Sequence, residues 1–265
     1  MKGCGGTTPT TLRAVPPLLE LLAIATAMAS SLRLGARAVA SATRPTVPLQ
    51  QPSRAEPRED RPVRLGVFGG TFDPPHVGHV SIVRELQESG TLDEILWIPV
   101  RLPPHKTANS LTSPECRMEM VRAATDGCVR QSVSDIELLR EGPSYTVDTL
   151  RALCSERPEA TPVLIMGADQ FVELAGWHEA EEVVRLAGVC VLPRGGVELT
   201  SAPPRLNVVW SAADVPPVDV SSSAVRKRVR EGRPYRHLVP AGVAEIIERE
   251  SLYIGDHHQS EMRDQ

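Results

Sequence analysis

The sequence predicts an α/β domain, a doubly wound parallel sheet with helices on both faces, behind a disordered N-terminal extension. Three observations carry that expectation. From Arg64 onward, short continuous apolar runs alternate with stretches of helical periodicity, the order that places crossover helices between parallel strands. All the aromatic residues, three each of Phe, Trp and Tyr, fall between Phe68 and Tyr253. Ahead of them, residues 1–63 are rich in Pro, Ser, Thr and Ala and hold one acid, Glu20, before Glu56. So little apolar surface does not offset the entropy of ordering a chain. The expected organisation is therefore an extension over 1–63, a domain over 64–254 and a flexible tail over 255–265.

Within the domain, Leu65 to Phe68 reads as a buried strand, and Val77 to Leu86 as a helix with Val77, Val80, Ile82, Val83 and Leu86 inward. Ile95 to Val100 is a second strand, followed by a proline-broken loop carrying Pro103-Pro104-His105-Lys106. Ser113 then caps a helix with Pro114 at its first position, running to about Ala124. Val133 to Leu139 alternates as a strand, Thr146 to Cys154 is helical, and Pro162 to Met166 is a continuous apolar strand. Helices follow near Asp169 to Leu174 and across Glu179 to Leu186, then the strands Val189 to Leu192 and Leu206 to Trp210. Ser222 to Arg230, stopped by Gly232 and Pro234, and Ala241 to Glu250 are the closing helices. Sheets of this kind bind ligands beyond the carboxyl ends of their strands, which directs attention to the loops there.

A net charge of −4 excludes the electrostatic footprint of a general polynucleotide binder and leaves small phosphorylated ligands open. Cys4, Cys116, Cys128, Cys154 and Cys190 are odd in number and lack a CxxC pair, which excludes a disulfide framework and fits a reducing, cytoplasmic setting. The most apolar early run, Leu18 to Ala29, is too short to span a bilayer and contains Glu20, so no membrane association is expected. The leader does mimic an address, since Lys2 and Arg13 precede a run ending in Ala25-Thr26-Ala27. Three readings of it stay open: a secretory signal, an organellar presequence, and an unstructured or overextended start with Met28 as an internal initiator. Oligomeric state is not legible.

The first loop beyond a strand end is Gly69-Gly70-Thr71-Phe72-Asp73-Pro74-Pro75-His76-Val77-Gly78-His79. Its two glycines let the backbone approach an anion, and the helix behind it offers unpaired N–H groups. It has neither the Gly-Lys-Ser/Thr ending of a P-loop nor GxGxxG spacing. His76 and His79, at a helix start, can both aim into one mouth, with Gly78 removing a side chain between them. Two imidazoles donating to a phosphoryl group would stabilise charge on its oxygens. A zinc site from Asp73, His76, His79 and His105 is the rival reading, against which the spacing lacks the i,i+4 pattern of helical zinc ligands. A plain capping or surface role is the third.

GGTFDPPHVGH resembles the signature of the nucleotidylyltransferase superfamily, in detail that of the bacterial nicotinate-nucleotide adenylyltransferases. Further pieces follow in that family's order: PPHK at 103–106, SYTVDTL at 144–150, Gly167-Ala168-Asp169 with Trp177, and Ser221-Ser222-Ser223-Ala224-Val225-Arg226. The resemblance covers about Arg64 to Ile254 and departs from the usual pattern at Pro75 and His178. It implies a Rossmann-like nucleotidylyltransferase fold and transfer of AMP from ATP to nicotinic acid mononucleotide, releasing pyrophosphate. It assigns ATP to Gly69, Gly70, Thr71, Phe72, Gly78, His79, Asp169, Ser222, Ser223 and Arg226. Lys106, Tyr145, Thr146 and Trp177 would hold the mononucleotide, and His76, His79 and Lys106 would act on the transferred group.

The chemistry of these residues agrees with that assignment without requiring it. Lys106 suits a point-charge grip on phosphate, yet a solvated lysine looks the same in sequence. Trp177 offers a flat face to a pyridine ring, or anchors a core short of aromatics; Asp169 could bond a ribose hydroxyl or cap a helix. Arg226 could meet a triphosphate at a helix N-terminus, or belong to a merely basic helix. Because the attacking phosphate is already anionic, no strong base is needed, and Mg²⁺ would be held chiefly by the phosphates. Two alternatives remain at this point: a sister adenylyltransferase acting on nicotinamide mononucleotide or phosphopantetheine, and a non-catalytic nucleotide-binding module.

Overall fold

The structure, a computed structural model, describes residues 61–101, 111–140, 142, 144–193, 206–216 and 218–254. The expected extension up to residue 60, the tail over 255–265 and Lys106 with its PPHK neighbours lie outside the described residues. Six parallel strands form one sheet: β1 (Val63–Gly70), β2 (Glu94–Pro99), β3 (Gln131–Val133), β4 (Ala160–Gly167), β5 (Gly188–Leu192) and β6 (Trp210–Ala212), in the order β3-β2-β1-β4-β5-β6. The helices are α1 (Val77–Glu88), α2 (Pro114–Thr125), α3 (Thr146–Glu156), α4 (Ala168–Glu173), α5 (Ala180–Leu186), α6 (Ser222–Arg230) and α7 (Ala241–Arg249). The doubly wound expectation holds. β1 begins at Val63, and Arg61 bonds Asp93 at 2.7 and 2.8 Å, tying the start of the strand to the turn before β2.

Alternation along the central strands feeds two separate cores. Leu65, Val67, Leu164, Met166, Val189 and Val191 pack with Val147 and Leu150 of α3 and Phe171 of α4. Phe68, Ile95, Trp97, Val163, Ile165 and Cys190 pack with Val83 and Leu86 of α1. Strands buried on both faces read as continuous apolar runs, which is why their sequences were plain. Gly66 of β1 leaves room for the core: a Cβ there would come within 2.6 Å of Leu92 Cδ1 and 2.8 Å of Ile95 Cδ1. A third cluster joins Met120 of α2 to Val225 of α6 and Val243 and Ile247 of α7, docking the closing helices beside the sheet.

Two strand expectations are corrected. Beyond Val133, the alternating stretch to Leu139 belongs to a turn, in which Leu138 and Leu139 N–H both donate to the Asp135 carbonyl at 2.8 and 3.1 Å. Its inward residue is polar: Glu137 is buried and accepts from the Thr149 hydroxyl at 2.9 Å, tying the turn to α3, while Leu139 stands 76% exposed. β3 itself ends at Val133, where the expected strand began. The last strand is shifted as well. Val208 is buried without joining a strand, and the ladder to β5 is made by Trp210, Ser211 and Ala212.

The strand order turns back between β1 and β4, since β1 crosses to β2 and then β3 on one side and β4 to β5 and β6 on the other. A crevice forms at such a switch point outside the carboxyl ends of the two strands. The loop from Gly70 to His76 leaves β1 there, and Asp169 leaves β4.

Candidate active site

His76 is the N-cap of α1 and His79 lies in its first turn, so helix geometry brings the two imidazoles onto one face. Their rings stack with centroids 3.6 Å apart and planes 22° from parallel. His79 Nδ1 accepts the His76 backbone N–H at 3.2 Å, which leaves Nε2 as the protonated nitrogen of a neutral ring. His76 Nδ1 is buried with no hydrogen-bond partner among the described residues, close to Gly78, where an added Cβ would lie 3.0 Å from it. The glycine is therefore needed by the first imidazole as well as by any ligand.

Burial lowers His76 to about 4, and burial together with the nearby His76 holds His79 well below the ordinary histidine value. Both rings are therefore neutral hydrogen-bond donors near pH 7. The folded pKa of His76 lies below its unfolded value of about 6.5, so in the window between them the unfolded chain binds the extra proton. Stability is complete above that window and falls as pH drops through it, by on the order of 3 kcal/mol at its acid end. Urea unfolding from pH 7.5 to 4.5 should show this decline, with a shallower slope in His76→Asn. Equal slopes in the two proteins would contradict a buried neutral imidazole.

The Phe72 side chain faces inward, away from the mouth of the loop. Its ring is buried 5.4 Å from Phe68 and 5.3 Å from Trp97, and it meets His79 edge-on at 5.2 Å, so it backs the histidine from behind. Only its backbone can face a ligand, and that backbone has φ +49, a left-handed conformation a bulky residue rarely adopts. Among the described residues, nothing lies within 4 Å of a Cβ placed on Gly69.

α6 is fastened to the same loop across about 150 residues of sequence. Ser221, not Ser222, is its side-chain cap, accepting from Ala224 N–H at 3.2 Å. Ser222 Oγ donates to the Pro74 carbonyl at 2.8 Å, and Arg226 Nη1 donates to the Asp73 carbonyl at 2.7 Å. Ser223 Oγ accepts from Arg226 Nη2 at 3.2 Å. Ser222 and Arg226 thus hold the loop in place, and the remaining guanidinium donors of Arg226 stay available to an anion.

The Tyr145–Thr146 and Trp177 segments also come together. Tyr145 precedes α3, and its ring lies 4.3 Å from that of His178, which follows Trp177 directly. The first amides of α3, those of Thr146 and Val147, precede the bonds that Asp148 and Thr149 N–H make to the Tyr145 carbonyl. Trp177 is half-buried against the first core cluster, so it is partly an anchor. Asp169 sits exposed in the first turn of α4, with Gly167 as the cap; a Cβ on Gly167 would clash with its carboxylate.

Two residues of the site had not been singled out in the sequence. Arg117 is fully buried and collects carbonyls from three segments: Thr71 at 2.8 Å, Val100 at 2.7 Å and Arg101 at 2.9 Å from its Nη atoms, and Thr112 at 3.0 Å from Nε. It joins the β1 loop to both stems of the loop in which Lys106 falls. Its signal was present, since Arg117, Met120, Val121 and Ala124 share the inner stripe of α2. Tyr253, the other, bonds Asp73 at 2.6 Å and carried no signal.

A cleft of about 300 Å³ lined by Arg84, Gln87, Arg130 and Gln131 lies at the opposite, amino-terminal end of β3. The carboxyl ends of α1 and α2 border it, a field that disfavours polyphosphate. Among the described residues, no group of three His, Cys, Asp or Glu side chains is arranged to hold a metal ion, and no helix is long and apolar enough to cross a membrane.

Comparison with known proteins agrees with this geometry. Residues 67–228 match the cytidylyltransferase-like family model. A Geobacillus kaustophilus protein named probable nicotinate-nucleotide adenylyltransferase is 41% identical over 190 residues, spanning 72% of this chain and 86% of that protein. A protein of the same name from Exiguobacterium sibiricum is 40% identical over 191 residues, 72% of this chain and 99% of its own length. Among solved structures, Plasmodium falciparum nicotinic acid mononucleotide adenylyltransferase in complex with NaAD superposes with a TM-score of 0.60 at 19% identity, over 72% of this chain and 97% of that one. At that identity the likeness establishes the fold.

Proposed function

The chain belongs to the nicotinate-nucleotide adenylyltransferases, and from that membership we infer how its residues transfer AMP from ATP to nicotinic acid mononucleotide, giving nicotinic acid adenine dinucleotide and pyrophosphate for NAD biosynthesis. The observation that carries the reading is the pair of neutral stacked histidines at the N-terminus of α1, set at the switch point of the sheet. Donors in that position complement oxygens that gain charge as the α-phosphorus is attacked. An oxygen of the mononucleotide phosphate attacks in line, and pyrophosphate leaves.

In this reading the triphosphate lies along the Gly69–Thr71 backbone and the α1 N-terminus, with Gly78 and His79 beneath it. Phe72 contributes its amide, and Arg226 and the Ser222–Ser223 turn of α6 approach from the far side. Asp169 meets a ribose hydroxyl. The pyridine ring lies by Trp177 and Tyr145, with its carboxylate at the first amides of α3 around Thr146. Lys106 would supply a cation to the mononucleotide phosphate or the triphosphate, and with His76 and His79 completes the set acting on the transferred group.

Mg²⁺ fits this site as a companion of the phosphates. The donors around the loop are amides, imidazoles and guanidinium, and the loop's own buried carboxylate, Asp73, is already engaged by Tyr253 and by Thr112 N–H. Bound there, the ion would neutralise phosphate charge and aid pyrophosphate departure, with the phosphate oxygens as its ligands.

The decisive experiment supplies ATP with nicotinic acid mononucleotide, nicotinamide mononucleotide or phosphopantetheine in turn and follows pyrophosphate release. Turnover should be greatest with the nicotinate substrate. Release with phosphopantetheine alone, or with none of the three, would overturn the reading.

A further inference from the structure

The chain leaves α7 through a turn that redirects it across the molecule. Leu252 N–H bonds back to the Ile247 carbonyl at 2.9 Å, and Ser251 and Tyr253 have φ values of +50 and +64. Leu252 and Tyr253 then pack on the third cluster, which carries the Tyr253 hydroxyl to Asp73 Oδ1 at 2.6 Å. Left-handed backbone at a residue other than glycine is uncommon and persists where surrounding contacts over-determine it. Here it occurs at Tyr253, one partner of the contact, and at Phe72, the neighbour of the other.

Asp73 is 2% exposed, and its second oxygen accepts from Thr112 N–H at 3.4 Å, a long bond. Short and charge-assisted, the tyrosine contact is the stronger hold on this carboxylate. Burial, then the Asp73 charge, raises the tyrosine pKa, so the hydroxyl keeps its proton and is the donor. The Asp73 backbone carbonyl is meanwhile the acceptor for Arg226, and three residues later the chain reaches His76. One residue therefore links the chain's closing segment, the first turn of α6 and the histidine pair.

We propose that Tyr253 is a positioning residue for adenylyl transfer: its hydroxyl fixes Asp73, and through Asp73 the loop from which His76, His79 and Arg226 are set against the triphosphate. The hydroxyl itself does not touch substrate. Its role rests on the adenylyltransferase reading above. The effect falls on the preorganisation of the cradle, so it should be felt by ATP and by the transfer step, and hardly by the mononucleotide pocket around Tyr145 and Trp177.

Tyr253→Phe tests this, because it keeps the ring and its packing and removes only the donor. In the full chain, with pyrophosphate release followed well below the melting temperature, kcat should fall about tenfold and the ATP KM should rise, with the mononucleotide KM changed less than twofold. In an Asp73→Asn background the same change should lower kcat by less than twofold, because the hydroxyl acts through that carboxylate. A lower Tm with kcat and both KM values intact would make Tyr253 a strut only and overturn the proposal. So would unchanged kinetics with unchanged Tm, a rise confined to the mononucleotide KM, or a full tenfold loss in the Asp73→Asn background. Wild-type protein inactive with every mononucleotide would instead remove the adenylyltransferase reading on which the proposal stands.

Discussion

Alanine at His76 or at His79 should lower kcat by about 10²–10³ with a much smaller change in the ATP KM. Each ring is held before substrate arrives: His79 by its Nδ1 bond to the His76 amide and by the edges of Phe68 and Phe72, His76 by burial and by the stack at 3.6 Å. A donor fixed in advance loses nothing to reorganisation when charge develops on the phosphoryl oxygens, so its worth is realised in the transition state. Neutrality helps as well. Two protonated rings in that stack would repel, and burial keeps both uncharged in the free protein. Steady-state kinetics on the two single variants and the double variant are the measurement. The double should lose far less than the product of the singles, because each ring sets the position of the other. Single variants within threefold of wild type would remove the histidines from the transfer step.

The parts of the molecule legible in the sequence were those whose signal is contiguous. β1, β4 and β5 lie inside the sheet, so both faces are apolar and Leu65–Phe68, Pro162–Met166 and Val189–Leu192 could be read directly. β3 and β6 are edge strands of three residues each, too short to display a period, and their neighbours Val133–Leu139 and Leu206–Trp210 misled because apolar side chains in turns also seek the core. The site divides in the same way. The loop from Gly69 to His79 is one uninterrupted segment whose residue types state its chemistry. What holds that loop in place comes from far along the chain: Arg117 from α2, Ser222 and Arg226 from α6, Tyr253 from the segment after α7. No local pattern announces that a serine hydroxyl will meet a carbonyl 148 residues away. Arg117 alone had a readable clue, a charge on the apolar stripe of its helix.

Arg117→Met should destabilise the domain by about 3–5 kcal/mol, because it withdraws a buried donor set from acceptors that cannot be removed with it. Replacing a complete buried ion pair with apolar residues is often harmless, since both charges leave together. Here the partners are backbone carbonyls of Thr71, Val100, Arg101 and Thr112, which stay polar whatever occupies position 117. Asp73 also loses the favourable field of this cation while remaining buried. Methionine fills nearly the same space, so the loss reports the hydrogen bonds more than a cavity. For a domain of about 190 residues it corresponds to a Tm lower by roughly 6–20 °C, measurable by thermal and urea unfolding. Arg117→Lys keeps the charge but concentrates its donors on one nitrogen, which cannot reach carbonyls arriving from three segments, so it should fall between wild type and the methionine variant. At temperatures where all three proteins are folded, ATP binding should weaken in the same order, because the guanidinium ties the β1 loop to the stems at Arg101 and Thr112. A methionine variant that melts within a degree of wild type would show that water satisfies these carbonyls as well as the guanidinium does, and that the loops keep their places without it.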